Sequence, residues 1–339
     1  MSSTYYSKGL SDRQTEYIQS RLRYESYYRT IGYSWMKRFG YIKPMPVGLK
    51  EVKEYIINKT EAGDMGFSPE VFRSYTARLE GKDYKVLLIG KILEFSKRDI
   101  QAWVNNSSTI GKETTLEAAT IAEFQQKLYL QLDGFTFYGT NMREAVATNP
   151  WHATNEITGM LNGFTTAGAG ADEDNNVNAA YDYYITMNNY VEDLRNEGFE
   201  ADSYTVFSSI ATKKDCDGNT SNHRLATYGF ETELKAILSK PEIARWMDSP
   251  ACVPYSTTTN RLCVVPNINV KANELGSEQQ KDRSTPFCIY QEPIQVESLY
   301  GGTWDKNLKR SVVIYTALAW AQTNPEAIVR SGDLTFTAS

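Results

Sequence analysis

Apolar residues recur at steps of three and four in two long stretches of the chain, and each predicts an amphipathic helix. In the first, Ile121, Phe124, Leu128 and Leu132 form one stripe for burial. Thr114 opens this helix as N-cap, Glu117 completes the capping box, and Gly134 predicts its end after Asp133. Such a segment makes a straight beam of roughly 30 Å. In the second, over 177–198, Ala180, Tyr184, Met187, Val191 and Leu194 share a register and Gly198 closes it. Weaker helical patterns cover 12–31, capped by Ser11 and broken by "PMPVG" at 44–48, then "LKEVKEYIINK" at 49–59 and "YGFETELKAIL" at 228–238.

Strand character dominates 71–95. Glu80-Gly81-Lys82-Asp83 has turn chemistry, so this stretch predicts a long hairpin that folds back at those four residues. It ends in a compact charged break, Ser96-Lys97-Arg98-Asp99, before apolar character returns at Ile100, Ala102 and Trp103. Further strands are predicted at 203–209, 261–267, 294–300 and 311–321, with loops at 61–70 and 212–224. Helices and strands mix without βαβ regularity, which makes the fold class α+β.

The 339 residues are 41% hydrophobic and 23% charged, an ordinary globular composition able to bury a sizeable core. The longest uncharged apolar run, Val312 to Ala321, is about half of a membrane span, so no membrane partner is expected. The opening "MSSTYYSKGL" lacks the apolar centre of a signal peptide, and synthesis in a cytoplasm is expected. Charge is uneven. Residues 1–60 hold eleven Lys and Arg against five Asp and Glu, a surplus of six positive charges on a chain whose net charge is −5. Nine of the 23 tyrosines fall in the same stretch, which suits a packed interface. A basic arm on an acidic body either lies along neighbouring subunits or faces a polyanion. Its candidate contacts are Arg21, Arg23, Arg29, Lys37 and Arg38.

Catalytic chemistry is hard to find. Cys216, Cys252, Cys263 and Cys288 form no CxxC pair and read as small buried thiols. His152 and His223 accompany no G-x-S-x-G elbow. Asp172-x-Asp174-x-Asn176 and Asp215-x-Asp217-x-Asn219 imitate the start of a calcium loop but lack its glycine at position six and glutamate at position twelve. "TTAGAGAD" at 165–172 is glycine-rich without the dinucleotide spacing. No enzyme activity, cofactor or metal is expected.

The order of elements carries more. "LEFSKRDIQAW" (93–103) resembles the exit from the extended loop of Hong Kong 97-type major capsid proteins, the family of tailed phages and archaeal head-tailed viruses whose fold encapsulin shells share. "TTLEAATIAEFQQKLYLQLDG" (114–134) resembles the family's spine helix, and "ALAWAQTNPEAIV" (317–329) its closing strand and Asn-Pro-Glu-Ala ending. The resemblance implies an N-terminal helix and arm at 1–64, an extended loop at 65–98, a peripheral domain from 99–160 with 286–339, and an axial domain at 161–285. It places Glu80, Lys82, Asp83 and Lys85 at the loop tip against a neighbouring subunit, and Arg98 and Asp99 at the hinge that fixes the loop's angle. It implies pentamers and hexamers of this chain in an icosahedral shell around double-stranded DNA held by non-specific contacts. A portal or scaffold protein is implied as a further partner, and the virion capsid, assembled in the host cytoplasm, as the location. An encapsulin shell around a cargo enzyme is the alternative; the chain's length favours the virus. Lys82, Lys85 and Lys91 are positioned for the inter-subunit lysine–asparagine crosslink of some relatives, but no partner asparagine with its carboxylate is identifiable, so no crosslink is expected.

Overall fold

The computed structural model describes residues 29–57, 79–98, 116–143, 157–162, 183–218, 232–254, 260–268, 287–299, 305, 308–322, 327–332 and 334. In chain order the elements are α1 (Gly32–Phe39), β1 (Ile42–Pro44), β2 (Glu51–Ile57), β3 (Leu79–Lys85), β4 (Leu87–Ser96) and α2 (Leu116–Tyr138). They continue with α3 (Tyr183–Asn196), β5 (Tyr204–Ser208), α4 (Ile210–Gly218), α5 (Glu233–Leu238), β6 (Ile243–Asp248) and β7 (Leu262–Pro266). The last are β8 (Cys288–Gln291), β9 (Gln295–Ser298), β10 (Lys309–Ala321) and β11 (Val329–Arg330).

Three sheets organise these elements. The first runs β1-β8-β10-β4, with β9 also pairing β10. Its axis is β10, thirteen residues long and antiparallel to β4 from Lys309 opposite Ser96 to Leu318 opposite Leu87. The second runs β11-β7-β5-β6, with every residue of β5 and β7 buried. The third is the two-stranded ribbon β2-β3. One core lies between α2, the first sheet and one face of the second; a smaller one packs α3, α4 and α5 on the second sheet's other face.

The apolar stripe of α2 behaves as its spacing requires. Leu128 and Leu132 are fully buried, and Ile121 and Phe124 lean on the same core. Gly134, however, does not end the helix. A Cβ there would sit 3.1 Å from the Met142 Cβ, so this glycine admits a close neighbour within a helix that runs on through buried Phe135, Thr136 and Phe137. The stop comes at Gly139, which has φ of +56° and whose Cβ would lie 1.9 Å from the Ile157 carbonyl oxygen. That carbonyl instead accepts the Thr140 N–H at 2.9 Å. Thr114 and the rest of the capping box lie outside the described residues, as does most of the helix expected over 12–31.

Three local expectations are corrected. Residues 51–57 form a strand, not a helix, because Val52, Tyr55, Ile56 and Ile57 favour extended backbone and the charges between them have cross-strand partners. Residues 80–83 are not a turn but the middle of β3, where Asp83 faces Lys53, Lys82 faces Glu54 and Lys85 faces Glu51. Residues 87–96 pair with β10 in the first sheet, and 71–78, the expected first arm of the hairpin, lie outside the described residues. Residues 210–218, expected as loop from 212, form α4, held by a Lys213–Asp248 ion pair at 2.6 Å and by the Tyr183 phenol donating to Asp215 at 2.8 Å. The second calcium-like stretch thus begins on a helix, and its carboxylates are engaged there.

Two glycines with positive φ separate conformational strain from crowding. At Gly48, with φ of +88°, nothing lies within 4 Å of an added Cβ, so Gly48→Ala is expected to cost about 1 kcal/mol. At Gly139 the Ile157 carbonyl stands in the way, and Gly139→Ala is expected to cost about 3 kcal/mol. Urea unfolding midpoints of the two variants check this order; equal losses would contradict it.

Candidate assembly surfaces

The β2-β3 ribbon is built from charge. Opposed pairs Glu51–Lys85, Lys53–Asp83 and Glu54–Lys82 run along it, and the Lys53 ammonium lies 3.3 Å from Asp83. Pairs this exposed contribute little energy, but like charges in register would resist the pairing, so the ladder fixes which residues face each other.

Its root is more rigid than its stem. The Val86 N–H donates to the Lys50 carbonyl at 3.2 Å, which marks where the two chains of the ribbon leave the body. Just before, Gly48 donates its N–H to buried Glu292 at 2.7 Å. On the stem, the Tyr290 phenol donates to Glu54 at 2.7 Å, and the Lys43 ammonium stands over the Tyr290 ring at 5.7 Å. Burial first, then the neighbouring Cys288 and Glu54, hold the Tyr290 phenol protonated far above its ordinary range. These groups set the direction of the ribbon. Arg98, expected at the hinge, is exposed at the far end of β4, separated from the root by that whole strand; Asp99 lies outside the described residues. There Lys97 donates its N–H to the Leu308 carbonyl at 2.8 Å, and Lys309 pairs with Glu94 at 2.8 Å.

The other expected contact residues separate in the same way. Asp83 and Lys85 are exposed on the stem of the ribbon and Lys82 is partly so; the side chain of Glu80 is not described. Arg29, Lys37 and Arg38 are exposed, the last two in the final turn of α1 where positive charge suits the helix dipole. Arg21 and Arg23 lie outside the described residues.

Residues 31–45 do not hang free of the body. Trp35 stacks on Tyr41 at 5.1 Å, Tyr41 on Phe287 at 4.7 Å, and Phe207 meets Trp35 edge-on at 5.6 Å. The Trp35 indole N–H donates to Asn267 at 2.9 Å, which also accepts from Thr205 at 2.8 Å. β1 then adds to the first sheet, parallel to β8. The sequence signal missed here is Asp133, a carboxylate beside the apolar stripe of α2: its Oδ1 accepts the Tyr33 N–H at 2.8 Å and serves the first turn of α1 from another helix.

One face of the first sheet is open. Ile89, Phe95, Val312 and Ile314 point into the core, while Leu88 and Ile92 on the opposite face of β4 are 65% and 55% exposed. Among the described residues the outer edge of β4 pairs with no strand.

Among the described residues no three His, Cys, Asp or Glu gather as a metal site, and all four cysteines are free and buried. Burial pushes every one of their thiols up, Cys288 to about 12, the reverse of what a reactive thiolate needs. No described helix is long and apolar enough to cross a membrane.

No protein-family model and no curated protein matches the sequence. Solved structures do match the fold. The capsid of Myoviridae phage XM1 aligns over 94% of this chain and 97% of its own, with a TM-score of 0.58 at 14% identity. A structure from Mycobacterium phage Che8 aligns over 93% and 95%, TM-score 0.55, at 12% identity. The capsid of a native GTA particle aligns over 94% and 94%, TM-score 0.55, at 10% identity. The long helix across two sheets, the ribbon projecting from them and the returning strand β10 are thus the α+β capsid fold of the Hong Kong 97 type.

Proposed function

We propose that this chain is the structural subunit of an icosahedral shell, a major capsid protein that encloses double-stranded DNA and has no catalytic role. The observation that carries this reading is the pairing of a charge-laddered ribbon, projecting from a braced root, with an open apolar sheet edge on the same subunit. A lone soluble protein has no use for either. An exposed strand edge invites pairing with another chain, and Leu88 and Ile92 supply apolar area beside it. Head-to-tail contacts of this kind close into rings, here pentamers and hexamers.

The ribbon, with residues 58–78 between its strands, is then the extended loop, and Lys82, Asp83 and Lys85 contact the neighbour from its stem. The first sheet with α2 forms the peripheral domain and the second sheet with α3–α5 the axial domain. β11 pairs with β7, so the tail of the chain ties the two together. The location is the virion capsid, with portal or scaffold proteins as further partners during assembly in the host cytoplasm.

Replacing residues 58–78 by a two-residue Asn-Gly turn tests the role of the loop directly. The variant is expected to keep its circular dichroism spectrum and lose all particles in negative-stain micrographs. Normal shells from it would refute the reading. Particles from the unaltered chain that enclose a cargo enzyme and no DNA would shift it to the encapsulin type.

The basic arm is assigned to tying subunits together, with DNA phosphates as a secondary, sequence-independent contact. The combined change of Arg21, Arg23, Arg29, Lys37 and Arg38 to Gln is expected to lower the yield of empty shells several-fold, with or without nucleic acid. Normal yield of empty shells with loss of packaged DNA alone would reverse that assignment.

A further inference from the structure

We propose that residues 31–45 form a proton-operated clasp, in which Asp133 of α2 grips the first turn of α1 more tightly when protonated, so that acidification locks the two sheets and α2 together and neutral pH loosens them.

The geometry comes first. α1 has no acidic residue in its first turn, and Ile31 at its N-cap offers no side-chain acceptor. The N–H groups there would otherwise be left unpaired in the core, since Ile31, Gly32 and Tyr33 are all buried. Asp133 supplies the acceptor: Oδ1 takes the Tyr33 N–H at 2.8 Å, and the N–H groups of Ile31 and Gly32 bear on the same carboxyl. Its other oxygen, Oδ2, is fully buried and has no hydrogen-bond partner. An ionised carboxylate would leave that half of its charge facing apolar surroundings, whereas the neutral acid places its proton there.

Among the described residues the groups around it offer no compensating cation. α1 presents the Tyr33 phenol, which burial pushes up to about 12 and which donates to Gln291 at 2.7 Å. The turn at Pro250–Cys252, packed on α2, presents the Cys252 thiol, held neutral by its own burial, with Asp248 bearing on that thiol. On α2's own side, Arg143, just beyond the helix, is turned outward to the Pro250 carbonyl at 3.5 Å. Burial accordingly raises the Asp133 carboxyl from 3.8 to about 6, against the lowering effect of the three N–H groups. A group raised in the docked state gives its full stabilisation below the open-state value and loses it as pH climbs through the docked one. The clasp is therefore tightest below about pH 4 and loosens up to about pH 6, an overall change on the order of 100-fold in docking equilibrium.

What the clasp joins makes the change consequential. Gly32 lies against α2 so closely that a Cβ would stand 2.7 Å from the Phe137 ring. Trp35 reaches the second sheet through Asn267, and Tyr33 and β1 reach the first sheet through β8. Any effect on particles rests on the shell reading above; the clasp itself does not.

The test is hydrogen exchange on the purified full-length chain between about pH 4.5 and 8. Protection factors of amides in 31–41 are read against those of α3, in the other core. In the unaltered chain the 31–41 factors should rise about 30-fold relative to α3 as pH falls across that window. Asp133→Asn keeps the acceptor and removes the titration, so its factors should stay level. A flat profile for the unaltered chain, or a response shared equally by α3, overturns the clasp, and either reading needs no variant to fold. The pH response in a chain that never forms particles would support the clasp while refuting the shell, and particles from a chain with a flat profile would do the opposite.

Discussion

A row of stacked rings holds the first sheet, the second sheet and the N-terminal segment in one body. Trp35 and Tyr41 come from the segment around α1, Phe287 precedes β8, and Trp320 lies on β10, 5.9 Å from Phe287. Phe207 of β5 closes the row edge-on. Rings of this size bury large areas with few rotors to order, so they bind elements distant in sequence at low entropic cost. Polar groups are placed around the row and not within it: Asn267 meets the Trp35 indole, Gln291 the Tyr33 phenol, Asp133 the peptide N–H groups of α1. The chain needs this arrangement because α1 is only eight residues long, too short to hold itself helical in water.

That dependence explains what sequence reasoning could and could not reach. α2 and α3 announce themselves because their own apolar spacing decides their structure: Leu128 and Leu132, and likewise Met187, Val191 and Leu194, fall on buried faces as their steps require. Strands β5, β7, β9 and β10 were legible for the same reason, with alternation or unbroken β-branched runs. α1 was not legible, since its cap sits a hundred residues away on α2. The ribbon misled for a related reason. Gly81-Lys82-Asp83 has the composition of a turn, and only the facing charges of Lys53 and Glu54 make it a strand. α4 also depends on remote partners, Asp248 and Tyr183. The fold class and the capsid-like order of elements survived these local errors because they rest on the long elements. A contact role, by contrast, leaves no mark on local periodicity.

The same contrast accounts for a fold shared at 10–14% identity with the matched structures. Burial requires apolar volume in the right period, and many residue choices satisfy it. The proposed role of the ribbon adds a second demand, that its relation to the body be kept. An error of a few degrees at the root becomes ångströms at the tip. Polar side chains meet the ribbon there: buried Glu292 holds the Gly48 N–H at the root, and half-buried Tyr290 holds Glu54 on the stem.

Three consecutive residues of the 288–292 segment meet both α1 and the ribbon. Gln291 holds Tyr33 of α1, while Tyr290 and Glu292, pointing the other way, hold the stem and the neck of the ribbon. The segment itself is fixed to β10, where the Glu292 N–H donates to the Ala317 carbonyl at 2.9 Å, and to the chain after β1, where Met45 donates to the Gln291 carbonyl at 2.9 Å. A strand hydrogen-bonded on both edges moves as a unit or not at all. The N-terminal segment and the ribbon are therefore not two independent appendages. Each is held by the same strand, α1 through Gln291 and the ribbon through Tyr290 and Glu292.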